Sequence, residues 1–250
     1  MRDDSGHPVW WDDPEKRERL YAYCKQDVEV ERAVDRRLVP LTPNEYRVWC
    51  LDAAINARGV CVDMPAIDTA VEIVEHESTK DVNKLYLLTE GAVEGPSQVK
   101  RLTDWVQKQG VEIPGLNKQV VIDYLEDPTL PAAVAEVLRI RQDFAKTSTA
   151  KLNRMRGSAS SDNRLRGLFA YSATGTGRFA GRIAQPQNLP RPTISQDAID
   201  TIIAFLKTHT AHESIAYLTV FHGKPMTLIS NCLRGMLCAG PGLQLNAGDF

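Results

Sequence analysis

The sequence predicts a mixed α+β protein, predominantly helical, with a small antiparallel β element late in the chain. Three observations carry that prediction. Residues 41 to about 157 place apolar residues at helical spacing with few interruptions. The texture then changes at "GSASSDNRLRG", residues 157–167, and the following "LFAYSATGTGRFAGRIAQPQNLPRP" is rich in Gly, Pro, Thr and Ser, as short strands and ordered loops are. Finally, the chain closes on "GLQLNAGDF", where Leu243, Leu245 and Ala247 alternate with Gln244, Asn246 and Gly248 in the manner of a half-buried strand.

The elements follow in order. Residues 1–13 form a polar lead-in. Asp13 followed by Pro14 is a helix start: a capping carboxylate, then a proline at the first helical position. That helix carries Leu20, Cys24, Val28 and Val34 at helical spacing and is expected to end near Val39–Pro40. A second helix follows "LTPNE" and stops at Gly59, a residue suited to a helix C-terminus. "VCVD", residues 60–63, is a short strand or an extended connector. A long helix runs from Met64 to about Thr89. "PSQVKRLTDWVQKQG" is another, closed by Gly110. "NKQVVIDYLEDP" and "LPAAVAEVLRIRQDFAKTSTAKLNRMRG" are two more, the last with a basic C-terminal half. After the loop-rich segment, "ISQDAIDTIIAFLKTHT" and "PMTLISNCLRGML" return to helix before the closing strand.

A chain of 250 residues with 43% hydrophobic and 25% charged residues has the composition of a globular protein. No stretch approaches the eighteen or so apolar residues of a membrane span, and the polar, acidic N-terminus is not a signal peptide. Five cysteines, odd in number and without a CxxC pair, suggest neither a disulfide framework nor a zinc site. The expectation is a reduced, intracellular protein with no membrane association.

The net charge of −2 conceals an asymmetry. Between Arg139 and Arg191 stand eleven basic residues against two acidic ones, +9, while the rest of the chain has nineteen basic against thirty acidic, −11. A basic block in an acidic protein suggests a polyanion site; a solvated basic face explains the same charge. Within the block, Arg178, Arg182 and Arg191 lie among small residues beside Gln185, Gln187 and Asn188. Arginine on a glycine-rich backbone can approach a phosphate or a groove edge closely. Gln and Asn can donate to the acceptors that every base pair shows in the minor groove. An ordinary loop held by its own polar side chains is the alternative.

"TGRFAGRIAQPQNLP" resembles the TGR…QN-(I/L)-P segment of the family A DNA polymerases, the bacterial DNA polymerase I type, in their phage and prophage versions. The resemblance implies that Arg178 contacts the minor groove near the primer terminus, and that Gln187 and Asn188 touch primer and template. "AGDF" resembles the start of that family's first palm motif. Asp249 would then be one of two carboxylates holding two Mg²⁺ ions, one lowering the pKa of the primer 3′-hydroxyl and the other stabilising the leaving pyrophosphate. "YCKQD" resembles the Tyr-x3-Asp motif of DEDD-type 3′–5′ exonucleases. It implies that Tyr23 orients the attacking water and that Asp27 binds metal. "LTPNEYRVWCLDAAINARGVCVD" resembles the helix and RG turn that open the next domain in this family. "FAKTSTAKLNRM" resembles its thumb helix, which implies phosphate contacts for Lys146, Thr147, Ser148 and Lys151; an exposed basic helix face is the alternative.

The implied organisation is the end of an exonuclease domain over residues 1–40, a thumb-like helical region over 41–160, and the first part of a polymerase palm over 161–250. The implied activity is template-directed nucleotidyl transfer in DNA replication, with Mg²⁺, primer–template DNA and deoxynucleoside triphosphates, by a monomer in the cytoplasm of the bacterial host. The first three exonuclease acids, the fingers helix and the second palm aspartate have no counterpart in these 250 residues. The expectation is therefore a truncated polymerase, inactive alone. A non-enzymatic primer–template-binding fragment and a 3′–5′ exonuclease remnant are the alternatives.

Overall fold

The computed structural model describes residues 13–144, 148–240 and 242–246, with only the backbone described for Ser148 and Thr149. Among these residues are ten α-helices and five short strands: α1 Pro14–Asp35, α2 Pro43–Arg58, β1 Val60–Val62, α3 Met64–Leu88, α4 Val99–Lys108, α5 Lys118–Leu125, α6 Ala132–Phe144, α7 Ser148–Ser158, β2 Arg164–Leu165, β3 Phe169–Ala170, β4 Ala180–Gly181, α8 Gln196–Leu206, α9 Ala211–Phe221, α10 Pro225–Cys232 and β5 Leu237–Cys238. The mainly helical class with a small antiparallel component is what the sequence predicts. The chain divides into two compact units, Met1–Val48 and Trp49–Phe250.

The first unit holds α1 and the opening turn of α2. Asp13 caps α1 as expected: its carboxylate accepts from the amides of Glu15 (3.1 Å) and Lys16 (3.2 Å), with Pro14 at the first helical position. The helix ends at Asp35, one turn before the expected Val39–Pro40. It buries no residue; Leu20, Val28 and Val34 are at least half exposed. At the next helix start, Thr42 and Glu45 cap each other. Thr42 donates its amide and hydroxyl to Glu45 Oε2 (3.1 and 2.9 Å), and the Glu45 amide returns to Thr42 Oγ1 (3.3 Å). These bonds stabilise the carboxylate and hold the Glu45 pKa below its ordinary value.

The second unit is built on α3, whose 25 residues span about 37 Å at 1.5 Å per residue. That length lets one helix serve two hydrophobic clusters. Ile67, Val71 and Ile73 from its first half pack with Leu152 and Met155 of α7, Ile199, Ile202 and Leu206 of α8, Leu218 of α9 and Ile229 of α10. Leu85 from its second half packs with Leu102, Trp105 and Val106 of α4, Val121 of α5 and Val134, Val137 and Leu138 of α6. Each such fully buried side chain stabilises the fold by about 1.5–3 kcal/mol relative to exposure.

"VCVD" resolves as a strand. β1 is the centre of a three-stranded sheet in the order β2-β1-β5, antiparallel on both sides, with Val60 opposite Leu165 and Cys61 opposite Cys238. Gly59 makes the entry possible. Its φ is +70°, and a Cβ there would stand 2.7 Å from the Leu165 carbonyl oxygen, so only glycine passes from α2 into β1 this closely under β2. All five cysteines are free thiols, and burial pushes Cys238 up to about 11. Among the described residues no helix is long and apolar enough to cross a membrane.

Two expectations need correction. Ala211–Phe221 is a helix beyond those expected from sequence, and Thr210 and Glu213 form a complete capping box at its start. The closing strand is not found at residues 242–246, which are irregular and exposed, with Leu243 69% and Leu245 60% accessible. Period-2 alternation requires a partner strand to become a ladder, and the edge beside β1 is taken by Leu237–Cys238 instead. Residues 247–250, Asp249 included, lie outside the described residues.

Candidate nucleic-acid interface

The segment from Leu168 to Thr193 packs on the first hydrophobic cluster through Leu168, Ala184 and Leu189, all buried. From that base it projects two polar features. The first is the hairpin β3–β4, with Phe169 opposite Gly181 and Ala170 opposite Ala180. Tyr171 and Phe179 close its neck edge to face at 5.6 Å. Above the neck, Thr174 organises the tip: its hydroxyl accepts from the Arg178 amide (2.9 Å) and its carbonyl accepts from the Gly177 amide (2.9 Å). The Arg178 backbone is thus held while its side chain is exposed. The hairpin is anchored at its foot by Asn56 of α2, whose carboxamide donates to Phe169 O and accepts from Phe169 N, both at 3.0 Å.

The second feature is a 3₁₀ turn at Pro186–Asn188. Gln187 and Asn188 are exposed on it. The Gln187 carboxamide lies over Gly181, where a Cβ would collide with it, so the glycine of β4 lets the two features touch. Ser172, Ile183 and Gln185 all adopt left-handed backbone, at φ +48°, +56° and +48°. A β-branched residue such as Ile183 pays about 1–3 kcal/mol for this conformation, a cost borne where the surrounding structure imposes a shape.

Electrostatics separate the cations of the basic block. Several are used within the fold. Arg166 grips Asp162 with both arms (2.9 and 2.7 Å) and donates to Ala57 O (2.9 Å). The Arg166 guanidinium holds Asp162 down to about 2. Arg164 donates to Gly59 O (3.2 Å), and Arg156 pairs with Glu75 (3.4 Å). Arg154, Arg178, Arg182 and Arg191 are exposed, and among the described residues none of their side chains has a hydrogen bond or ion pair. Three of these four belong to the hairpin and turn segment, and residues 168–193 contain no acidic side chain to offset them.

Of the expected site residues, Arg178, Arg182, Gln187, Asn188 and Arg191 stand on this one segment. Lys151 joins them from α7: its ammonium donates to Asn188 O at 2.8 Å, across 37 residues of sequence. Partial burial and the neighbouring Arg154 and Arg234 charges lower its pKa. Lys146 and Thr147 lie outside the described residues, and Ser148 is described only as the first residue of α7. Tyr23 and Asp27 share a face of α1, four residues apart, but both are exposed, Tyr23 at 64%. Among the described residues no three His, Cys, Asp or Glu side chains come together as a metal would require. Sequence reasoning missed Arg234 and Asn56, whose side chains bond the segment's backbone across 44 and 113 residues; no local pattern signals such pairings.

Comparison with known proteins adds a relative. The chain is 35% identical over 241 residues to a DNA polymerase of Bacillus phage SP02, an alignment that covers 95% of this chain and 36% of the relative. The chain therefore spans about a third of the length of the curated relative it matches. No family model matches the chain, and no solved structure matches it significantly.

Proposed function

We propose that this chain is part of a phage-type DNA polymerase of family A and that the Leu168–Thr193 segment binds primer–template DNA. The observation that carries the reading is the uncompensated hairpin and turn: Arg178, Arg182 and Arg191 are unpaired, and Gln187 and Asn188 are exposed beside them. The similarity to a phage DNA polymerase along nearly the whole chain supports it. No Asp or Glu stands between Leu168 and Thr193, so its cations and carboxamides suit a partner rich in acceptors. A duplex offers phosphates along its strands and base acceptors in the minor groove. Arg178, held at the tip by Thr174, reaches the groove; Gln187 and Asn188 lie beside primer and template.

In this proposal residues 1–40 belong to an exonuclease domain, 41–160 to a thumb and 161–250 to a palm. The cluster around Leu102, Trp105 and Leu138 lies within 41–160, whereas Ile67, Leu152 and Met155 of the same span pack with α8–α10. Template-directed transfer from deoxynucleoside triphosphates, in replication, is the activity of the polymerase as a whole. The described residues do not fit a Mg²⁺ site, because they bring no cluster of donors together. The metal reading of Asp249 concerns a residue outside them, and Asp27 is exposed on α1 with no such cluster beside it among the described residues.

Fluorescence anisotropy with a labelled primer–template duplex tests the binding reading. The expected result is a dissociation constant that rises steeply with salt. Arg178→Ala should weaken binding by about 1–3 kcal/mol. Equal affinity of the two proteins would remove Arg178 from the interface, and no binding at low salt would sink the proposal. Primer extension with Mg²⁺ and nucleotides separates polymerase from binding fragment. Incorporation gives the chemistry to this chain, whereas binding without incorporation leaves it a binding role.

A further inference from the structure

Three consecutive backbone carbonyls, those of Asn188, Leu189 and Pro190, each accept a hydrogen bond from a cation brought from elsewhere in the fold. Lys151 serves Asn188 O at 2.8 Å. Arg234, in the turn after α10, serves the next two, with Nη2 at 2.7 Å from Leu189 O and Nε at 3.0 Å from Pro190 O. Just beyond, Asn231 of α10 accepts from the amide and the hydroxyl (3.1 Å) of Thr193 and donates to Thr227 O at 2.9 Å. The stretch from Leu189 to Thr193 belongs to no helix or strand, and Pro190 and Pro192 have no N–H to offer. Its backbone is shaped by these side chains. The rigid fork of a guanidinium suits two adjacent acceptors better than a single ammonium does.

We infer that Arg234 is a positioning residue of the interface: it fixes the backbone from which Asn188 and Arg191 project toward DNA, and it does not contact DNA itself. The geometry separates the two jobs. Arg234 turns two of its donors inward onto carbonyls, while Arg191, one residue past the clamp, is exposed and unpaired. The inference rests on the DNA-binding reading above for its outcome, but not for the clamp.

Two readouts on wild type, Arg234→Ala, Arg234→Lys and Arg191→Ala test it. The first is amide hydrogen exchange of peptides covering residues 187–194 in the free protein. Arg234→Ala should speed exchange there while the α4–α6 peptides keep wild-type rates. Arg234→Lys, which keeps the charge but not the fork, should fall between the two. The second is primer–template binding as a function of salt. Arg234→Ala should weaken binding about tenfold, the loss of roughly one charge-assisted bond's worth of order. It should leave the slope of log K against log salt at the wild-type value. Arg191→Ala should reduce that slope by about 0.9, as loss of a phosphate contact does.

Unchanged exchange in both Arg234 variants would overturn the clamp. A slope reduced in Arg234→Ala as much as in Arg191→Ala would overturn the positioning role in favour of direct contact. Faster exchange with unaltered affinity would show that the clamp does not serve binding. If wild type binds no duplex, the DNA reading fails, and exchange alone then decides the clamp. Should Arg234→Ala not fold, as read by far-UV circular dichroism, Arg234→Lys carries both measurements.

Discussion

Two stretches of this chain carry the site residues expected from sequence, and they differ in how the fold treats them. Tyr23 and Asp27 lie on α1, a 22-residue helix that buries none of its side chains. Arg178, Gln187 and Asn188 lie on a segment whose foot is buried and whose backbone is held by Asn56, Lys151, Asn231 and Arg234 from three other places in the sequence. In the first case helical spacing alone brings two side chains to one face. In the second, tertiary bonds shape an irregular backbone so that polar side chains point outward from a fixed base. A spacing can arise by chance in any helix; an irregular segment held by distant side chains requires the rest of the fold.

The comparison is sharpest where the base is removed. Leu189 is 3% exposed directly beneath the turn. Leu189→Ala is expected to cost about 2–5 kcal/mol of stability, the transfer loss plus a cavity, in urea unfolding. A cost under about 1 kcal/mol, as at a surface site, would break the contrast with α1.

Asn56→Ala comes next. It leaves Phe169 N and O without their partner in a half-buried place, and should destabilise by about 1–3 kcal/mol. Thermal unfolding with retained far-UV signal checks it. An unaltered midpoint would mean that the hairpin holds itself.

The Asp162–Arg166 pair gives a pH-dependent and smaller effect, because both groups are exposed. The folded pKa of Asp162 is depressed to about 2 from its ordinary value of 3.8. Its contribution is therefore present above the unfolded value and is lost as pH falls through about 2. Wild type should exceed Asp162→Asn in denaturation midpoint at pH 6, and the difference should shrink toward pH 2. A difference independent of pH would remove the ion pair as its cause.

The smallest effect is expected on α1. Tyr23→Ala and Asp27→Ala should each change stability by less than about 0.5 kcal/mol, since neither side chain is buried. A loss above about 1 kcal/mol would show that α1 is packed in solution and would end the contrast.

Much of the fold was legible. The cap at Asp13–Pro14, the stop at Gly59 and the helices from Met64 to Phe144 follow from local chemistry: a side-chain acceptor, a missing Cβ, apolar residues every three to four positions. The capping box of Thr210 and Glu213 before α9 is equally local. The strands were harder. Val60–Val62 read as strand or connector, and Leu243–Asn246 read as a strand that the fold does not form. Strand pairing depends on which edge is open, and only the assembled sheet shows that Leu237–Cys238 fills it.

The site divides the same way. The sequence by itself determined which side chains could meet an acceptor-rich partner, because residue type and the unusual TGR…QN composition are properties of the chain. Tertiary structure alone decided which cations remain available. Arg164, Arg166 and Lys151 are turned to carbonyls and a carboxylate of their own fold, while Arg178, Arg182 and Arg191 are left unpaired. It also decided that Arg234, unremarked in sequence, holds the backbone beneath them. The physical reason is that a charge is spent on whatever acceptor the folded chain brings within about 3 Å, and acceptors 37 to 113 residues away cannot be read from neighbours in sequence.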